Sequence, residues 1–420
     1  MKWEMKQIEE ICTKVTSGGT PKSTTSSFYY PKEVPWLKTG EVNYCRIYDT
    51  ETYISKEGLA RSSAKLIPEN SVIVAMYGQG DTAGRVAINK IPICTNQACC
   101  NLVINHDIAD YQYVYYALSN MYDKLVSLKN GGAQPNLNVG VLKAFEIPFP
   151  DLETQYKISK IISAYDDLIE NNQKQIKLLE EAAQRLYKEW FVDLRFPGHE
   201  DVEIIDGVPK GWNLRPLKEF IYYDIGGGWG EDSIKEKCDK PAFVIRGTDL
   251  YGILHGKIKD VPYRFHSESN LRSRRLKDGD IIFEVSGGSK TEGVARSLLI
   301  RQAILDVYSE SVMCASFCKL VRVNDIKYAQ YLYDTFQFLR VSGVTAEFDK
   351  KSASSIINYR WKDFILQQFI LEPSEEVLAK YQILAETYYN QILNHSKTIE
   401  MLTMARDRLL PKLMSGELEV

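Results

Sequence analysis

The 420-residue sequence contains no apolar run approaching the roughly 18 residues that a membrane-spanning helix needs. Its N-terminus also lacks the charged and then apolar pattern of a secretory signal. The eight cysteines include no Cys-x-x-Cys pair and the five histidines lie far from them, which favours buried, reduced thiols over a zinc site. We therefore predict a cytoplasmic chain that binds no metal.

Motifs of common catalytic sites are also missing. GGTPKST (18–24) has a proline where a phosphate-binding loop needs glycine, and GQGDTAG (78–84) is followed by RVAI, which continues as a strand. There is no Pro-Pro pair, which excludes an Asn-Pro-Pro-aromatic motif for methyl transfer. No Ser/His/Asp or Cys/His set recurs in the chain. These absences predict a protein without catalytic residues of its own.

The two halves of the chain repeat one another at an offset of about 209 residues. KGWNLRPLKEF (210–220) repeats the opening MKWEMKQIEEI, with Trp212 in the place of Trp3. Further matching pairs are PWLKTGEV (35–42) with FVIRGTDL (243–250), and ENSVIVAMYGQGDTAG (69–84) with DGDIIFEVSGGSKTEG (278–293). In each half, short runs of Val, Ile, Tyr and Phe predict strands, and a tyrosine-rich helix follows them. Each half is therefore predicted to be an α+β domain.

Each half also ends in a long stretch with heptad spacing. From 151, where Asp151 can cap a helix, to about 192 there is no Gly or Pro, and apolar residues recur at intervals of four and three. The pattern returns near the C-terminus at an offset of about 223. There Arg406 interrupts it, with Ala405 beside it able to fill the gap, and Pro411 is expected to bend or end the helix.

This spacing predicts two long antiparallel coiled-coil helices. Equivalent polar residues, Asn172 and His395, stand near the middle of the two seams, so antiparallel packing should bring them together. The predicted seam residues are Ile162, Ile169, Asn172, Ile176, Leu179, Leu186, Ile392, His395, Ile399, Leu402 and Leu409.

The predicted order is therefore domain, helix, domain, helix. The expected bounds are 1–150 for the first domain, 151–196 for the central helix, 197–211 for a connector, 212–372 for the second domain and 373–420 for the C-terminal helix. A tandem repeat of this kind can arrange its copies about a pseudo-two-fold axis, with a domain at each end of the helix pair. Helices of 35–40 residues would measure roughly 50–60 Å.

Both halves place polar side chains beside glycines, which suits contact with nucleic acid because glycine lets the backbone approach a ligand closely. The net charge of −3 argues against general binding, although LRSRRLK (271–277) is locally basic. The alternative for all of these positions is tight-turn architecture. The candidate DNA-binding residues are Lys38, Thr39, Glu41, Tyr77, Gly78, Gln79, Thr82, Arg85, Arg246, Thr248, Asp249, Arg274, Arg275, Ser286, Gly288, Ser289, Lys290, Thr291 and Arg296.

Several segments together resemble one protein family. SGGTPKS, VPWLKTGEV, GQGDTAG, EIPFPDLETQYKI, LYKEWFVDLRFPGHE and RDRLLPKLMSGELEV are similar to the specificity subunits of type I restriction–modification systems. The similarity extends over essentially the whole chain. It implies two target-recognition domains that read the two halves of a bipartite, asymmetric site in double-stranded DNA, and helices that set the spacer between those halves.

The same resemblance implies that the chemistry lies in other subunits. Two methyltransferase subunits carrying S-adenosylmethionine would dock on the chain to methylate adenine. Restriction–translocase subunits using ATP and Mg would join them for phage defence. The chain itself would be non-catalytic and would bind no cofactor.

Two other interpretations remain open at this point. In the first, the chain is the recognition subunit for a single partner protein in which the modification and cleavage activities are fused. The mass of a co-purified partner would reveal this arrangement. Otherwise the chain is a DNA-independent scaffold organised by the coiled coil. A DNA-binding assay with partner subunits present separates the scaffold from the first two.

Overall fold

The computed structural model describes residues 3–129, 135–287, 293–351 and 356–420. The chain forms two compact units. Unit 1 comprises Met1–Asp167 with Thr403–Val420, and unit 2 comprises Leu168–Leu402. Both units are mixed α+β.

The strands of unit 1 are short and mostly buried. They are β1 (Met5–Gln7), β2 (Cys12–Ser17), β3 (Val34–Leu37), β4 (Cys45–Ile47), β5 (Tyr53–Ile54), β6 (Val72–Ala75), β7 (Val86–Asn89), β8 (Cys94–Thr95), β9 (Cys99–Ile104) and β10 (Glu146–Pro148). Those of unit 2 are β11 (Ile204–Ile205), β12 (Val208–Pro209), β13 (Asn213–Pro216), β14 (Ile221–Gly226), β15 (Lys240–Ile245), β16 (Tyr263–His266), β17 (Ile281–Glu284), β18 (Ser286–Gly287), β19 (Ser297–Leu299), β20 (Ser311–Cys314), β21 (Cys318–Val323), β22 (Asp349–Lys351), β23 (Ile357–Tyr359) and β24 (Phe369–Glu372).

Two helices of 40 residues each accompany several shorter ones. The helices are α1 (Lys56–Ala60), α2 (Tyr111–Asn120), α3 (Tyr122–Ser127), α4 (Val139–Lys143), α5 (Leu152–Phe191), α6 (Leu250–Leu254), α7 (Glu268–Arg274), α8 (Gln302–Leu305), α9 (Ala329–Val341), α10 (Trp361–Gln367) and α11 (Glu375–Met414). The predicted tyrosine-rich helices are α2 and α9. Asp151 caps α5 as predicted, because its carboxylate accepts a hydrogen bond of 2.9 Å from the backbone N–H of Thr154.

The sheets of the two units repeat one strand order. Unit 1 contains β2-β9-β6-β7-β4, β5-β3-β8 and β1-β10, and unit 2 contains β14-β21-β17-β19, β16-β15-β20 and β13-β24. One parallel pair is repeated as well, since β3 runs parallel to β8 and β15 runs parallel to β20; unit 1 also pairs β4 with β7 in parallel. The internal duplication inferred from sequence is therefore a duplication of topology.

In unit 2 the long helices run antiparallel. Trp190, near the end of α5, packs on Tyr381, near the start of α11, with ring centroids 5.8 Å apart. Further along, Asn172 of α5 contacts His395 of α11. The predicted seam residues Ile162, Ile169, Ile176, Ile392 and Ile399 are buried, and Leu179, Leu186, Leu402 and Leu409 are half-buried against the cores of their own units.

Two details of the C-terminal helix differ from the sequence prediction. Arg406 does not leave a gap for Ala405 to fill, because its guanidinium lies 2.7 Å from the Asp166 carboxylate while Ala405 is exposed. Pro411 does not end α11, which continues to Met414. Proline has no N–H, so the Asp407 carbonyl lacks its usual donor four residues later.

Five of the eight cysteines, namely Cys94, Cys99, Cys100, Cys314 and Cys318, are buried, as the sequence predicts for apolar settings. Within the described ranges, no group of His, Cys, Asp and Glu side chains could hold a metal ion. Among the same residues, no helix is both long enough and apolar enough to cross a membrane.

Candidate nucleic-acid interface

The turns that follow β3 and β15 are built in the same way. In unit 1 the Glu41 carboxylate accepts a hydrogen bond of 3.0 Å from the backbone N–H of Lys38. In unit 2 the Asp249 carboxylate accepts one of 2.8 Å from the backbone N–H of Arg246. Both carboxylates, which sequence reasoning assigned to DNA, therefore hold the turn that presents the preceding cation.

The two cations that these turns present have different surroundings. The Arg246 side chain donates three hydrogen bonds, of 3.1, 2.9 and 2.8 Å, to the buried Asp249 carboxylate, and this interaction raises the pKa of Arg246. Lys38 is exposed, with its Nζ 5.7 Å from the centre of the Trp36 ring. Thr39 is half-buried and Thr248 is exposed.

The glycine-rich loop of unit 1 lies between β6 and β7. The Thr82 hydroxyl donates a hydrogen bond of 2.6 Å to the Gln79 carbonyl, and a Cβ at Gly78 would lie 2.8 Å from the Thr82 side chain. The Gln79 side chain points to solvent, while Tyr77 is half-buried. Arg85 donates to the Asn43 side chain at 3.0 Å. The loop thus leaves Gln79 accessible.

The corresponding loop of unit 2 is described only in part. The predicted contacts Gly288, Ser289, Lys290 and Thr291 lie outside the described residues. Of the remaining residues, the Ser286 hydroxyl lies 3.0 Å from the Asn358 side-chain oxygen. Arg296 forms two hydrogen bonds, of 2.8 and 2.6 Å, with the buried Glu284 carboxylate.

The basic cluster on α7 has a partly structural role. Arg274 donates from its Nε to the Gly226 carbonyl at 2.8 Å, which ties α7 to the end of β14. Arg275 is exposed just after the helix. Neither arginine lines the pocket described next.

Four of the predicted residues come together around a pocket of unit 2. Its volume is about 540 Å³, and the predicted residues on its wall are Arg246, Thr248, Ser286 and Arg296. Sequence reasoning missed two further wall residues, Trp229 and Phe317, whose side chains are 40% and 53% exposed. The only sequence signal for them is a large aromatic residue within a short polar or glycine-rich loop.

Comparison with known proteins gives a consistent result. The family model described as the type I restriction modification DNA specificity domain matches residues 1–181. The chain is 29% identical to the MjaIX specificity subunit of Methanocaldococcus jannaschii, over 100% of this chain and 94% of that protein. It is 21% identical to the EcoKI specificity subunit of Escherichia coli K12, over 99% and 89% of the two chains.

A solved structure shows the same fold. The crystal structure of the type I restriction–modification S subunit from M. genitalium aligns with a TM-score of 0.59 at 15% identity, covering 98% of this chain and 96% of that one. Its two β-rich domains and paired long helices correspond to the architecture described above.

The duplicated fold therefore carries polar loops on both of its copies. Residues 1–181 of the chain match the DNA specificity domain of type I restriction–modification systems, and the whole chain is similar to specificity subunits of such systems. Specificity subunits of this kind are non-catalytic components and bind no cofactor, and the subunits with which they assemble use S-adenosylmethionine and ATP.

Proposed function

We propose that the two repeated domains each read one half of a bipartite, asymmetric site in double-stranded DNA. The observation that carries this proposal is the repetition of one scaffold with different side chains on it. The N–H of Gly18 donates to the Cys99 carbonyl at 3.1 Å, and at the equivalent place Gly227 donates to Cys318 at 2.8 Å. Two domains with the same backbone and different surface side chains, each acting as the reader of one half-site, suit a DNA site whose halves differ in sequence.

The recognition domains in this proposal are 1–150 and 212–372. Exposed side chains on their turns, among them Lys38, Gln79 and Thr248, contact the DNA directly. Lys38 contributes a cation for phosphate or guanine, and Gln79 has the amide geometry that pairs with adenine. Glu41 and Asp249 act indirectly, because their carboxylates hold the turns in place through hydrogen bonds to backbone N–H groups.

The helices 151–196 and 373–420, joined through the connector 197–211, set the spacer between the half-sites. Their seam is mostly apolar, and the polar contact between Asn172 and His395 near its middle favours one register of the two helices. A fixed register holds the two readers at one separation. The spacer would then be a property of this chain alone.

The helices also dock the partners of the complex. Two pairs of equivalent positions, related by the same offset of about 223 residues, are apolar and yet exposed: Ile161 with Leu384, and Leu178 with Met401. Exposed apolar side chains on a helix mark surfaces that another protein covers. We assign one such surface in each repeat to one methyltransferase subunit, with restriction–translocase subunits completing the complex.

The decisive experiment is a domain exchange followed by genome-wide mapping of adenine methylation. Residues 1–150 are replaced by the corresponding region of a homologue, in cells that supply the methyltransferase subunit. We expect one half of the methylated site to change and the other half and the spacer to remain. The matched control exchanges 212–372 and should change the opposite half. A change in both halves after a single exchange would rule out modular reading.

A further inference from the structure

The pocket of unit 2 presents a mostly apolar surface beside the predicted DNA-contacting turn. We propose that Trp229 and Phe317 are specificity-determining residues that contact the 5-methyl group of a thymine in the half-site read by unit 2. This inference rests on the proposed function, because it names the chemical group that one reader recognises. It goes beyond that function in assigning the base and the residues.

Both aromatic side chains are held by backbone hydrogen bonds next to them. The N–H of Gly228, which precedes Trp229, donates to the Cys314 carbonyl at 2.9 Å. The Phe317 carbonyl accepts hydrogen bonds of 2.9 Å from Val285 and 3.1 Å from Ser286. A site that discriminates a single methyl group needs such positioning. A mobile side chain could adjust to a base with or without the methyl group and would not distinguish the two.

The indole of Trp229 is also held from the side. The Arg264 guanidinium carbon lies 4.5 Å from the centre of the Trp229 ring, and its Nε donates to the Trp229 carbonyl at 3.2 Å. Arg264 is in turn paired with Asp232. The stacked arginine fixes the ring while leaving it 40% exposed.

The charges around the pocket argue against a phosphate or guanine ligand. The guanidinium of Arg246 is bound by Asp249, and that of Arg296 by Glu284, whose side chain is 2% exposed. Each cation is therefore neutralised by a carboxylate that is already in place. Although Arg246 and Thr248 keep some exposed polar atoms, the accessible wall is mostly apolar carbon. Among the four bases only thymine presents a methyl group in the major groove.

Unit 1 carries no such aromatic pair at the equivalent positions. The backbone hydrogen bonds place Thr20 where unit 2 has Trp229, and Ala98 where unit 2 has Phe317. The Thr20 hydroxyl donates to the Gln97 side chain, so this corner of unit 1 is polar. The same scaffold therefore presents an apolar contact in one reader and a hydrogen-bonding contact in the other.

The test uses the complex assembled with its methyltransferase subunits. The half-site of unit 2 is first identified by exchange of 212–372. Binding is then measured by competition with duplexes in which each thymine of that half-site is replaced in turn by deoxyuridine. We expect one replacement to weaken binding by about fourfold or more, the effect of removing one buried methyl group. Replacements in the other half-site serve as internal controls.

The variants Trp229→Thr and Phe317→Ala install the residues of unit 1. We expect both to weaken binding of the thymine duplex and to abolish its preference over deoxyuridine at that one position. Tyr222→Ala is the matched control, because Tyr222 is an exposed aromatic residue of the same unit that does not line the pocket. It should leave the preference unchanged.

Three results would overturn the inference: a unit 2 half-site without thymine, deoxyuridine that is neutral at every position, or variants that keep the full preference. None of these would affect the bipartite reading, because the domain exchange tests that independently. Conversely, a failed exchange would remove the proposed function before any deoxyuridine duplex is made.

Discussion

The imidazole of His395 meets the side-chain amide of Asn172 in the seam between the two long helices. Nδ1 of His395 lies 2.6 Å from Oδ1 of Asn172, and Nδ2 of Asn172 donates to the Leu168 carbonyl at 2.7 Å. The amide oxygen can only accept, so Nδ1 of His395 carries the proton in this contact. A buried or half-buried polar contact between two helices favours the one register in which both partners meet, and this contact stands near the middle of a mostly apolar seam.

Replacing both residues, as Asn172→Leu with His395→Leu, should keep or raise the thermal unfolding temperature, because leucine packs well in a seam. The spacer between half-sites should lose definition, since the helices would lose the polar contact near the middle of their seam. Methylation mapping would then show more than one spacer length. The control variant is Asn171→Leu with Asn394→Leu, which alters neighbouring exposed asparagines. One unchanged spacer in the seam variant would remove the registering role.

A change in helix length should change the spacer directly. Seven residues inserted into, or removed from, α5 and α11 at facing positions preserve the heptad pattern and alter the length by roughly 10 Å, or about three base pairs. We expect methylation mapping to report a spacer altered by about that number with the bases of both half-sites unchanged. An unaltered spacer would contradict the proposal that the helices set it.

Arg406 and Asp166 should be energetically coupled. Their side chains are 26% and 13% exposed, and the Tyr116 hydroxyl donates a further hydrogen bond of 2.5 Å to Asp166. A double-mutant cycle with Arg406→Ala and Asp166→Ala, measured by urea denaturation, should give a coupling of about 1–3 kcal/mol. The exposed pair Lys157 and Glu153 is the control, with an expected coupling below about 0.5 kcal/mol. Equal couplings would mean that the seam pair is an ordinary surface ion pair.

The buried carboxyl of Asp334 should make the stability of unit 2 depend on pH. Burial raises the pKa of Asp334 from 3.8 to about 7, although hydrogen bonds from Tyr381 and Gln330 lower it. Between these two values the folded chain holds a proton that the unfolded chain has lost. The free energy of unfolding therefore falls as pH rises through this window.

The variant Asp334→Asn removes this titration while keeping a polar side chain of the same shape. Relative to the unaltered protein, its free energy of unfolding should increase by up to about 4 kcal/mol between pH 4 and pH 7. Urea denaturation at several pH values measures the difference. Two parallel profiles would show that Asp334 does not titrate in this range.

The sequence predicted best what repeats with a fixed period. Buried seam positions such as Ile169 and Ile399 recur every three or four residues, and so the helix pair and the Asn172–His395 contact could be predicted. The duplicated strand order was predictable for the same reason, because equivalent strands keep their apolar pattern even where their residues differ.

Contacts between loops were less predictable. Trp229 and Phe317 lie far apart in sequence and meet only because backbone hydrogen bonds bring their loops to one pocket. Glu41 and Asp249 fit two roles from sequence alone, since a carboxylate three residues after a backbone donor suits both a tight turn and a base contact. Their actual hydrogen bonds depend on the conformation of the turn.

The composition of unit 1 has a consequence for the order of synthesis. Its core contains Leu413 and Met414, next to Ile158 and Ile162 near the start of α5. A ribosome makes these two residues only after all of unit 2, so the first unit to emerge is the last whose core can be completed. Until then Ile158 and Ile162 at the start of α5 lack these two packing partners. A chain that stops within α11 before Leu413 would therefore lack part of the core of unit 1, although the residues of unit 2 up to that point would already have been translated.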